Sequence, residues 1–471
     1  MKLLLILTVF FVQFTDKGGS DRIALSNTAM AMRQERGISI DSLDYAVSPI
    51  YLDSIEALGG KILHTSRWMN GATVDAKSGA KNKFLACSFV DTEYVTRKSK
   101  MIAPRTSPMP NKTMVTYTDS AYYGQAYDQL QILNLPPLHD AGFEGQGIRI
   151  GIADVGFANA DSLPALDATR EQWLGYADLT DDTCDIFSMH LTHGTSCLST
   201  IMGITDEYTG AATQAEYFLF KTEENDTESP KEIDNWVAAT EMADSMGLHI
   251  LSTSLGYALF DDDDLSYNYA DMDGQTTRGA LAAQIATRKG MLLVVAMGND
   301  GTNSWHYLST PADADSILSV GAITTNGIIA PFSSYGPTSD GRIKPEVCAV
   351  GVNAALIDVT NDVVYGDGTS FACPQIAGAA ACLWSALPKA TNMEIRERII
   401  QSADHYAEPH NRYGYGVPNL WKAYCNGLEN DLPNIDENKA LNVQKIVLNG
   451  QLFIKKDNHL YNILGTYIST H

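Results

Sequence analysis

The chain has 471 residues, of which 45% are hydrophobic and 19% are charged, and its formal net charge is −23. This apolar share supports a large buried core and argues against a disordered, collagen-like or coiled-coil protein. The excess of Asp and Glu argues against a protein whose main partner is nucleic acid, because phosphate binding needs clustered Lys and Arg.

The charge is spread unevenly along the chain. Residues 1–120 contain 15 basic and 11 acidic side chains, whereas residues 121–471 contain 18 and 45. Because opposite charges attract, this asymmetry predicts that the first part docks on the second.

The N-terminus begins with Met1 and Lys2, and an apolar run, LLLILTVFFV, occupies residues 3–12. Ten residues are too few to span a bilayer, and the run fits the apolar region of a signal peptide. We therefore predict a signal peptide over residues 1–19 and a secreted protein that is periplasmic, cell-surface or extracellular. A buried N-terminal strand is the alternative. Residues 376–387 are also apolar but short, and predict a core helix, so no transmembrane segment is expected after signal removal.

Residues 20–112 predict a small α+β domain with its linker. The runs KILHTS (61–66) and FLACSFV (84–90) predict strands, and residues 49–58 predict a helix. Residues 103–124 are rich in Pro, Ser and Thr and predict an exposed linker.

From about residue 140 short apolar runs alternate with helical stretches. The runs at 148–154, 249–256, 291–299 and 316–323 predict strands, and residues 233–247 and 277–290 predict helices. Nearly continuous apolar strands separated by helices indicate an α/β fold, a parallel sheet covered by helices on both faces. We predict that this domain spans residues 113–428. In such sheets, binding sites lie at the carboxyl ends of the strands.

The last residues, 429–471, predict a linker and a short β module, because short strand-like runs are separated by Asn-Gly and Asp-Asn pairs. A similar short module occurs on some secreted Bacteroidetes proteins, which suggests a role in sorting or surface anchoring. A hairpin packed on the preceding domain is the alternative.

Seven cysteines are present, and none forms a C-x-x-C pair. Their odd number in a large chain indicates neither a disulfide scaffold nor a thiolate zinc site, and most are expected to be buried. No H-E-x-x-H, P-loop or G-x-G-x-x-G motif occurs either, so no metal ligands are predicted.

Four polar residues follow a strand or open a helix in the predicted sheet: Asp154, His193, Asn299 and Ser370. Ser, His and Asp are the set required for acyl transfer, because His takes the proton of the Ser hydroxyl and Asp orients the imidazole. An amide such as that of Asn299 could stabilise the oxyanion. Each residue alone could also be an ordinary turn or helix cap.

The order of these residues along the chain favours a catalytic triad over unrelated turns and caps. Asp, His and Ser follow each other as in subtilisin, one of three known orders of the triad. The α/β-hydrolase alternative, a lipase or esterase, requires G-x-S-x-G, and residues 368–372 read GTSFA.

The stretches DVGF, HGTSCLSTIMG, VVAMGNDG and GTSFACPQIAG resemble the Asp, His, Asn and Ser blocks of subtilisin-like serine proteases, the subtilases. The resemblance covers roughly residues 140–425 and is greatest to secreted subtilases of the Bacteroidetes type. One departure is Val155, where many subtilases have a small hydroxyl residue after the Asp.

The resemblance implies a secreted serine endopeptidase made as a zymogen. Ser370 would be the nucleophile, His193 the general base and then acid, Asp154 its orienter, and Asn299 the oxyanion donor. Ser254, Leu255 and Gly256 match the family's strand beside the substrate, which pairs with an extended peptide.

The N-terminal domain takes the place of a subtilase propeptide. It would be an intramolecular inhibitor that the enzyme removes by cutting the linker near Thr113–Ala121. An independent binding domain is the alternative.

The chemistry requires no cofactor. Structural calcium could bind the acidic run at residues 261–264 with Asp271 and Asp273, although such runs are usually solvated loops. The predicted partners are protein or peptide substrates, and a catalytically silent subtilase fold used for binding is the competing hypothesis.

Overall fold

The computed structural model describes residues 7–77, 79–98, 122–180, 185–188, 190–224, 227–431, 443–448, 451–456, 459–462 and 467–470. These residues form two compact units, one up to Tyr424 and one from Cys425 onward. None of the described helices is both long and apolar enough to cross a membrane.

The N-terminal domain is a four-stranded antiparallel sheet with three helices. Its strands are β1 (Leu7–Phe14), β2 (Lys61–Ser66), β3 (Gly71–Lys77) and β4 (Val90–Lys98), in the spatial order β2-β3-β1-β4. Its helices are α1 (Asn27–Glu35), α2 (Pro49–Ala57) and α3 (Lys81–Leu85).

Two of the predicted elements here match and one does not. Strand β2 coincides with KILHTS, and α2 begins at Pro49, as expected. The prediction of a strand over residues 84–90 is wrong, because Phe84 and Leu85 end helix α3 and the strand begins only at Val90. Phe84 is buried in the domain core, and an apolar run of seven residues does not distinguish a buried helical turn from a strand.

Residues 7–12 of the apolar run near the N-terminus belong to the inner strand β1 of this sheet. It pairs with β3 on one side and β4 on the other, and Phe10 and Val12 are 2% and 0% exposed. The prediction that residues 1–19 are a signal peptide is therefore corrected for residues 7–14, where the alternative of a buried strand is right. A signal peptide is cleaved from the mature protein, whereas these side chains form part of the hydrophobic core of a folded domain.

The second domain is built on a seven-stranded parallel sheet. Its strands stand in the order β13-β12-β11-β10-β5-β9-β6. The strands of this domain are β5 (Arg149–Asp154), β6 (Trp173–Asp178), β7 (Ile204–Thr205), β8 (Tyr208–Thr209), β9 (Glu216–Lys221), β10 (Ile250–Thr253), β11 (Leu292–Ala296), β12 (Leu318–Ile323), β13 (Val347–Val350), β14 (Ala354–Ile357) and β15 (Val363–Gly366). The pairs β7-β8 and β14-β15 are short antiparallel ribbons.

Helices flank this sheet, as the alternation of the sequence predicts. They are α4 (Tyr127–Gln131), α5 (Pro136–Asp140), α6 (His193–Met202), α7 (Pro230–Met246), α8 (Arg278–Arg288), α9 (Thr369–Ala386), α10 (Asn392–Ser402) and α11 (Leu420–Asp431). All residues of β10, β11 and β12 are buried, which confirms that apolar runs without alternation mark strands covered on both faces.

The C-terminal unit contains a four-stranded antiparallel sheet, β16 (Val443–Leu448), β17 (Gln451–Lys456), β18 (His459–Asn462) and β19 (Tyr467–Thr470). These strands lie within residues 429–471, for which the sequence predicts a linker and a short β module.

The N-terminal domain contacts the second domain through buried ion pairs on helix α7. Arg33 Nη2 lies 2.7 Å from Asp244 Oδ2, and Arg67 Nη2 lies 2.5 Å from the same oxygen. Glu241 accepts hydrogen bonds from the Ser66 hydroxyl at 2.5 Å and from the Arg67 amide at 2.9 Å. These four charged side chains are at most 6% exposed.

A second group of contacts involves residues at the C-terminal ends of α8 and α9. Lys289 Nζ is 2.7 Å from Asp44 Oδ2, and the Arg36 guanidinium lies over the Trp384 ring at 4.8 Å. The docking expected from the charge asymmetry is thus observed. Because an unpaired buried charge is costly, each side of this contact depends on the other.

We expect Phe10→Ala to destabilise the N-terminal domain by about 3–5 kcal/mol, because it removes a buried ring from the inner strand. The free energy of opening can be measured by hydrogen exchange of the β3 amides. The matched control is Ile50→Ala, since Ile50 is 67% exposed on α2 and its loss should change the free energy by no more than about 0.5 kcal/mol. Equal exchange in both variants would contradict the strand assignment.

Candidate active site

The four predicted residues lie at the carboxyl end of the parallel sheet or at the start of a helix that follows it. Asp154 is the last residue of β5, and Asn299 follows β11. His193 opens α6, and Ser370 is the second residue of α9. Carboxyl ends of parallel strands share one edge, which brings residues far apart in sequence to one place.

Asp154 and His193 form a close pair. Nδ1 of His193 lies 2.7 Å from Oδ1 of Asp154, which also accepts a hydrogen bond from the Val155 amide at 2.8 Å. Asp154 is fully buried, and the His193 side chain is 26% exposed. One end of the imidazole is thereby fixed by a carboxylate while the ring remains accessible.

Two glycines allow this close approach. A side chain at Gly194 would lie 2.3 Å from the carbonyl oxygen of Gly156, so α6 can start beside Asp154 only without one. Gly156 itself has φ +143°, a conformation that side chains rarely adopt. The turn after Asp154 therefore depends on Gly156 and tolerates Val155.

The pKa of His193 is raised well above its usual value of 6.5. Burial is the largest single contribution and lowers the pKa, but the negative charge of Asp154, the interaction with Cys197 and the hydrogen bonds to both residues together outweigh it. The imidazolium form is thus stabilised, as a group that accepts a proton during a reaction requires.

The Ser370 hydroxyl points toward the segment that follows β10. Its Oγ lies 3.5 Å from the carbonyl oxygen of Ser254, and the described residues contain no hydrogen bond between Ser370 and the His193 ring. The two residues are linked through Cys197, whose Sγ lies 3.8 Å from Nδ1 of His193 and 3.4 Å from the carbonyl oxygen of Ser370. In enzymes without bound substrate, the hydrogen bond between a nucleophile and its general base is often long or poorly aligned.

Pro374 explains why the Ser370 carbonyl is available to these neighbours. In a regular helix this oxygen would accept the amide four residues on, but Pro374 has no N–H. The oxygen instead accepts hydrogen bonds from the Ser254 hydroxyl at 2.9 Å and from the Cys197 thiol. The first turn of α9 is thereby attached to both neighbouring elements.

Asn299 is oriented by Thr369. Its Oδ1 accepts hydrogen bonds from the Thr369 amide at 2.9 Å and hydroxyl at 3.1 Å. Because its oxygen is engaged in this way, the amide keeps its Nδ2 as a donor beside Gly368, at the start of α9.

The residues predicted to bind an extended peptide follow the last paired residue of β10. Ser254 is buried, Leu255 is partly buried and Gly256 is exposed. The next residue, Tyr257, pairs with Thr310 through two backbone hydrogen bonds, which holds the segment in an extended course.

Sequence reasoning did not single out Cys197 or Pro374. Cys197 stands four residues after His193 and therefore lies on the same face of α6, a spacing that could have revealed it. Burial raises the pKa of the Cys197 thiol, so it is held as a neutral hydrogen-bond donor.

Several carboxylates of the acidic segment considered for calcium accept hydrogen bonds from backbone amides, and Asp261 Oδ2 accepts the amide of Glu228, which lies outside the segment. Asp273 Oδ1 accepts the amides of Gln275 and Thr276, and Asp271 Oδ2 accepts the amide of Asn268. Within the described part of the chain, the one group of three or more His, Cys, Asp or Glu side chains with converging ligand atoms is Asp154, His193 and Cys197. Calcium binding remains a prediction.

The sequence is similar to known peptidases over most of its length. A sequence model of the subtilase family matches residues 145–416, and a model of the peptidase S8 propeptide domain of Bacteroidota matches residues 9–113. The chain is similar to a thermostable alkaline protease of Halalkalibacterium halodurans, with 28% identity over 68% of this chain and 78% of that protein.

Two further relatives extend the comparison. Subtilisin E of Bacillus subtilis is 25% identical over 79% of this chain and 85% of its own length. The crystal structure of MycP1 from the ESX-1 type VII secretion system superimposes with a TM-score of 0.51 and 22% identity, covering 70% of this chain and 91% of that one. At 22% identity, the similarity to MycP1 shows that the two chains share a fold.

We expect His193 to titrate above pH 6.5 and Asp154→Asn to lower its pKa by about 1–3 units, because the carboxylate charge stabilises the imidazolium. The neutral ring, able to accept a proton, then predominates only above the raised pKa. An NMR titration of the His193 ring protons measures the pKa in both chains. Asp161→Asn is the control, because Asp161 is exposed. A His193 pKa at or below 6.5 in the parent chain would refute the pairing.

Proposed function

This chain belongs to the subtilase family of serine endopeptidases, and on that premise we propose that it is a secreted, self-processing peptidase in which Ser370 is the nucleophile. The observation that carries the proposal is the 2.7 Å contact between the buried Asp154 carboxylate and His193, at a strand end beside the helix that carries Ser370. An N-terminal propeptide domain of the Bacteroidota type precedes the peptidase domain.

The proposed reaction starts with attack of the Ser370 hydroxyl on a peptide carbonyl. His193 takes the hydroxyl proton on Nε2 and later gives it to the leaving amine, while Asp154 stabilises the imidazolium through Nδ1. Water then hydrolyses the acyl-enzyme by the same steps. The raised pKa of His193 favours proton transfer toward the imidazole.

The negative oxygen of the tetrahedral intermediate needs donors placed in advance. The Nδ2 of Asn299 and the backbone N–H of Ser370, at the N-terminus of α9, supply them in this proposal. Thr369 supports this role, because its two hydrogen bonds fix which end of the Asn299 amide is presented.

Substrate binding is proposed to use backbone pairing with Ser254, Leu255 and Gly256. Such pairing is tolerant of substrate sequence, so that side-chain pockets would set specificity. Because Ser254 also donates to the Ser370 carbonyl, the substrate strand and the nucleophile are connected within one hydrogen-bond chain.

We propose that the N-terminal domain is an intramolecular inhibitor removed by self-cleavage. Its ion pairs with α7 support this role, because they hold it on the peptidase domain before any cut. The cleavage segment expected near Thr113–Ala121 lies outside the described residues, as does most of the linker. Secretion is supported by the Bacteroidota propeptide domain.

A catalytically silent binding protein is the alternative from another class. A loss of one of the four chemical residues would favour it, and all four are present. A lipase or esterase would hydrolyse long-chain esters while leaving casein intact, which separates it by a simple assay.

We expect a fluorophosphonate probe to label the parent chain once, with loss of about one hundred N-terminal residues, since one activated hydroxyl performs both reactions. Ser370→Ala should do neither, whereas Ser385→Ala, a change on the same helix, should do both. Intact mass and N-terminal sequencing provide the readout. Labelling of Ser370→Ala, or a new terminus outside residues 105–130, would argue against the assignment.

We expect Asn299→Ala to lower kcat by about 10² to 10³-fold with little change in KM, because the donor acts on charge that develops in the transition state. The matched control is Asn303→Ala in the same loop, since Asn303 is exposed and donates only to Asp300. A loss of similar size in KM instead would indicate a role in substrate binding.

A further inference from the structure

Asp154, His193 and Cys197 bring three kinds of metal-binding atom together. Their ligand atoms, a carboxylate oxygen, an imidazole nitrogen and a sulfur, all lie within 4.8 Å of one another. Two of them are four residues apart on α6, and the third ends β5 beside it. We refer to these three residues as the Asp–His–Cys cluster.

Asp154 has an unused acceptor in this cluster. The residue is fully buried, and its Oδ2 has no hydrogen-bond partner among the described residues. A buried carboxylate oxygen without a donor is costly, because the water that would solvate it has been removed. A cation bound at this oxygen would offset that cost.

The spacing of the atoms suits a small tetrahedral cation. In a tetrahedral zinc site, bond lengths near 2.0 and 2.3 Å place a nitrogen and a sulfur ligand about 3.5 Å apart. His193 Nδ1 and Cys197 Sγ are 3.8 Å apart. The 2.7 Å contact between His193 Nδ1 and Asp154 Oδ1 would have to open to about 3.3 Å, a small movement of a partly exposed ring.

We propose that the Asp–His–Cys cluster binds one thiophilic divalent cation, with zinc as the expected ion, and that its binding switches off the peptidase. The ligands would be an Asp154 oxygen, Nδ1 of His193 and Sγ of Cys197, with water as the fourth. The Cys197 thiol loses its proton to solvent, so that two negative ligands balance the two charges of the ion.

Inhibition follows from the tautomer of His193. In the proposed reaction the neutral ring carries its proton on Nδ1 and uses the Nε2 lone pair as the base. A metal on Nδ1 takes that lone pair and leaves the ring proton on Nε2. The side facing Ser370 then has no free lone pair, and the hydroxyl proton cannot be accepted.

The binding part of this inference is independent of catalysis, while the inhibition part rests on the function proposed above. Cys197 has no chemical step in that function. Cys382 and His139 form a second Cys–His pair, in which the sulfur lies 3.5 Å from Nε2 of His139. This pair is not part of the Asp–His–Cys cluster, so Cys382 provides an internal comparison for Cys197.

Binding is tested with zinc alone on the full-length Ser370→Ala chain, so that self-digestion plays no part. After dialysis in a buffer with excess calcium, bound zinc is counted by mass spectrometry, and cobalt is used to look for a thiolate charge-transfer band. Adding Cys197→Ser should weaken zinc binding at least ~10-fold and abolish the band. Adding Cys382→Ser should change neither.

Inhibition is tested on the otherwise unchanged chain with a fluorogenic peptide. Zinc should inhibit hydrolysis reversibly, and Cys197→Ser, with each rate expressed as a fraction of that variant's own rate without zinc, should need at least ~10-fold more zinc for half-inhibition. Cys197→Ala serves as a second variant if the first folds poorly, judged by circular dichroism.

Equal zinc binding with and without Cys197 would overturn the proposal. Zinc bound through Cys197 but without any effect on hydrolysis would overturn its inhibitory part. A chain that binds zinc through Cys197 but never hydrolyses peptides would support the site and instead refute the proposed peptidase function.

Discussion

The burial of one carboxylate, that of Asp154, is the constraint on which the site depends. A buried charge needs partners, and Asp154 obtains them from the Val155 amide and the His193 ring. To provide this ring, α6 must begin close to the end of β5, which only glycine at 194 permits. The start of α6 beside β5 and the raised pKa of His193 are therefore both connected with the contact between Asp154 and His193.

The Ser370 half of the site depends on a hydrogen bond that α9 lacks, the one between the Ser370 carbonyl and residue 374. Because Pro374 cannot donate to the Ser370 carbonyl, that oxygen accepts hydrogen bonds from Ser254 and Cys197, which belong to the segment after β10 and to α6. Three elements thus meet at one carbonyl group. The same arrangement places a thiol beside the imidazole, and the proposed sensitivity to zinc follows from a contact that also fixes the helix.

The two domains meet through charge rather than through apolar surface alone. Arg33 and Arg67 both form ion pairs with Asp244, and Arg67 also forms one with Glu241. The acidic side chains of α7 therefore face basic side chains of the N-terminal domain. Buried pairs of this kind contribute little relative to apolar contacts of the same size, but removing one partner leaves the other uncompensated. A docked arrangement held by such pairs is what the proposed role of an intramolecular inhibitor would require.

The sequence by itself determined the α/β class, the parallel sheet, the family and the four candidate residues, because apolar runs without alternation and the order of the Asp, His, Asn and Ser blocks are local signals. It did not determine the fate of residues 7–14, since an apolar run has the same composition in a leader and in an inner strand. Nor did it indicate that α3 occupies part of the run at 84–90. Only the tertiary structure decided these points, together with the placement of Cys197 beside His193 and the orientation of Asn299 by Thr369, because each depends on contacts between elements distant in sequence.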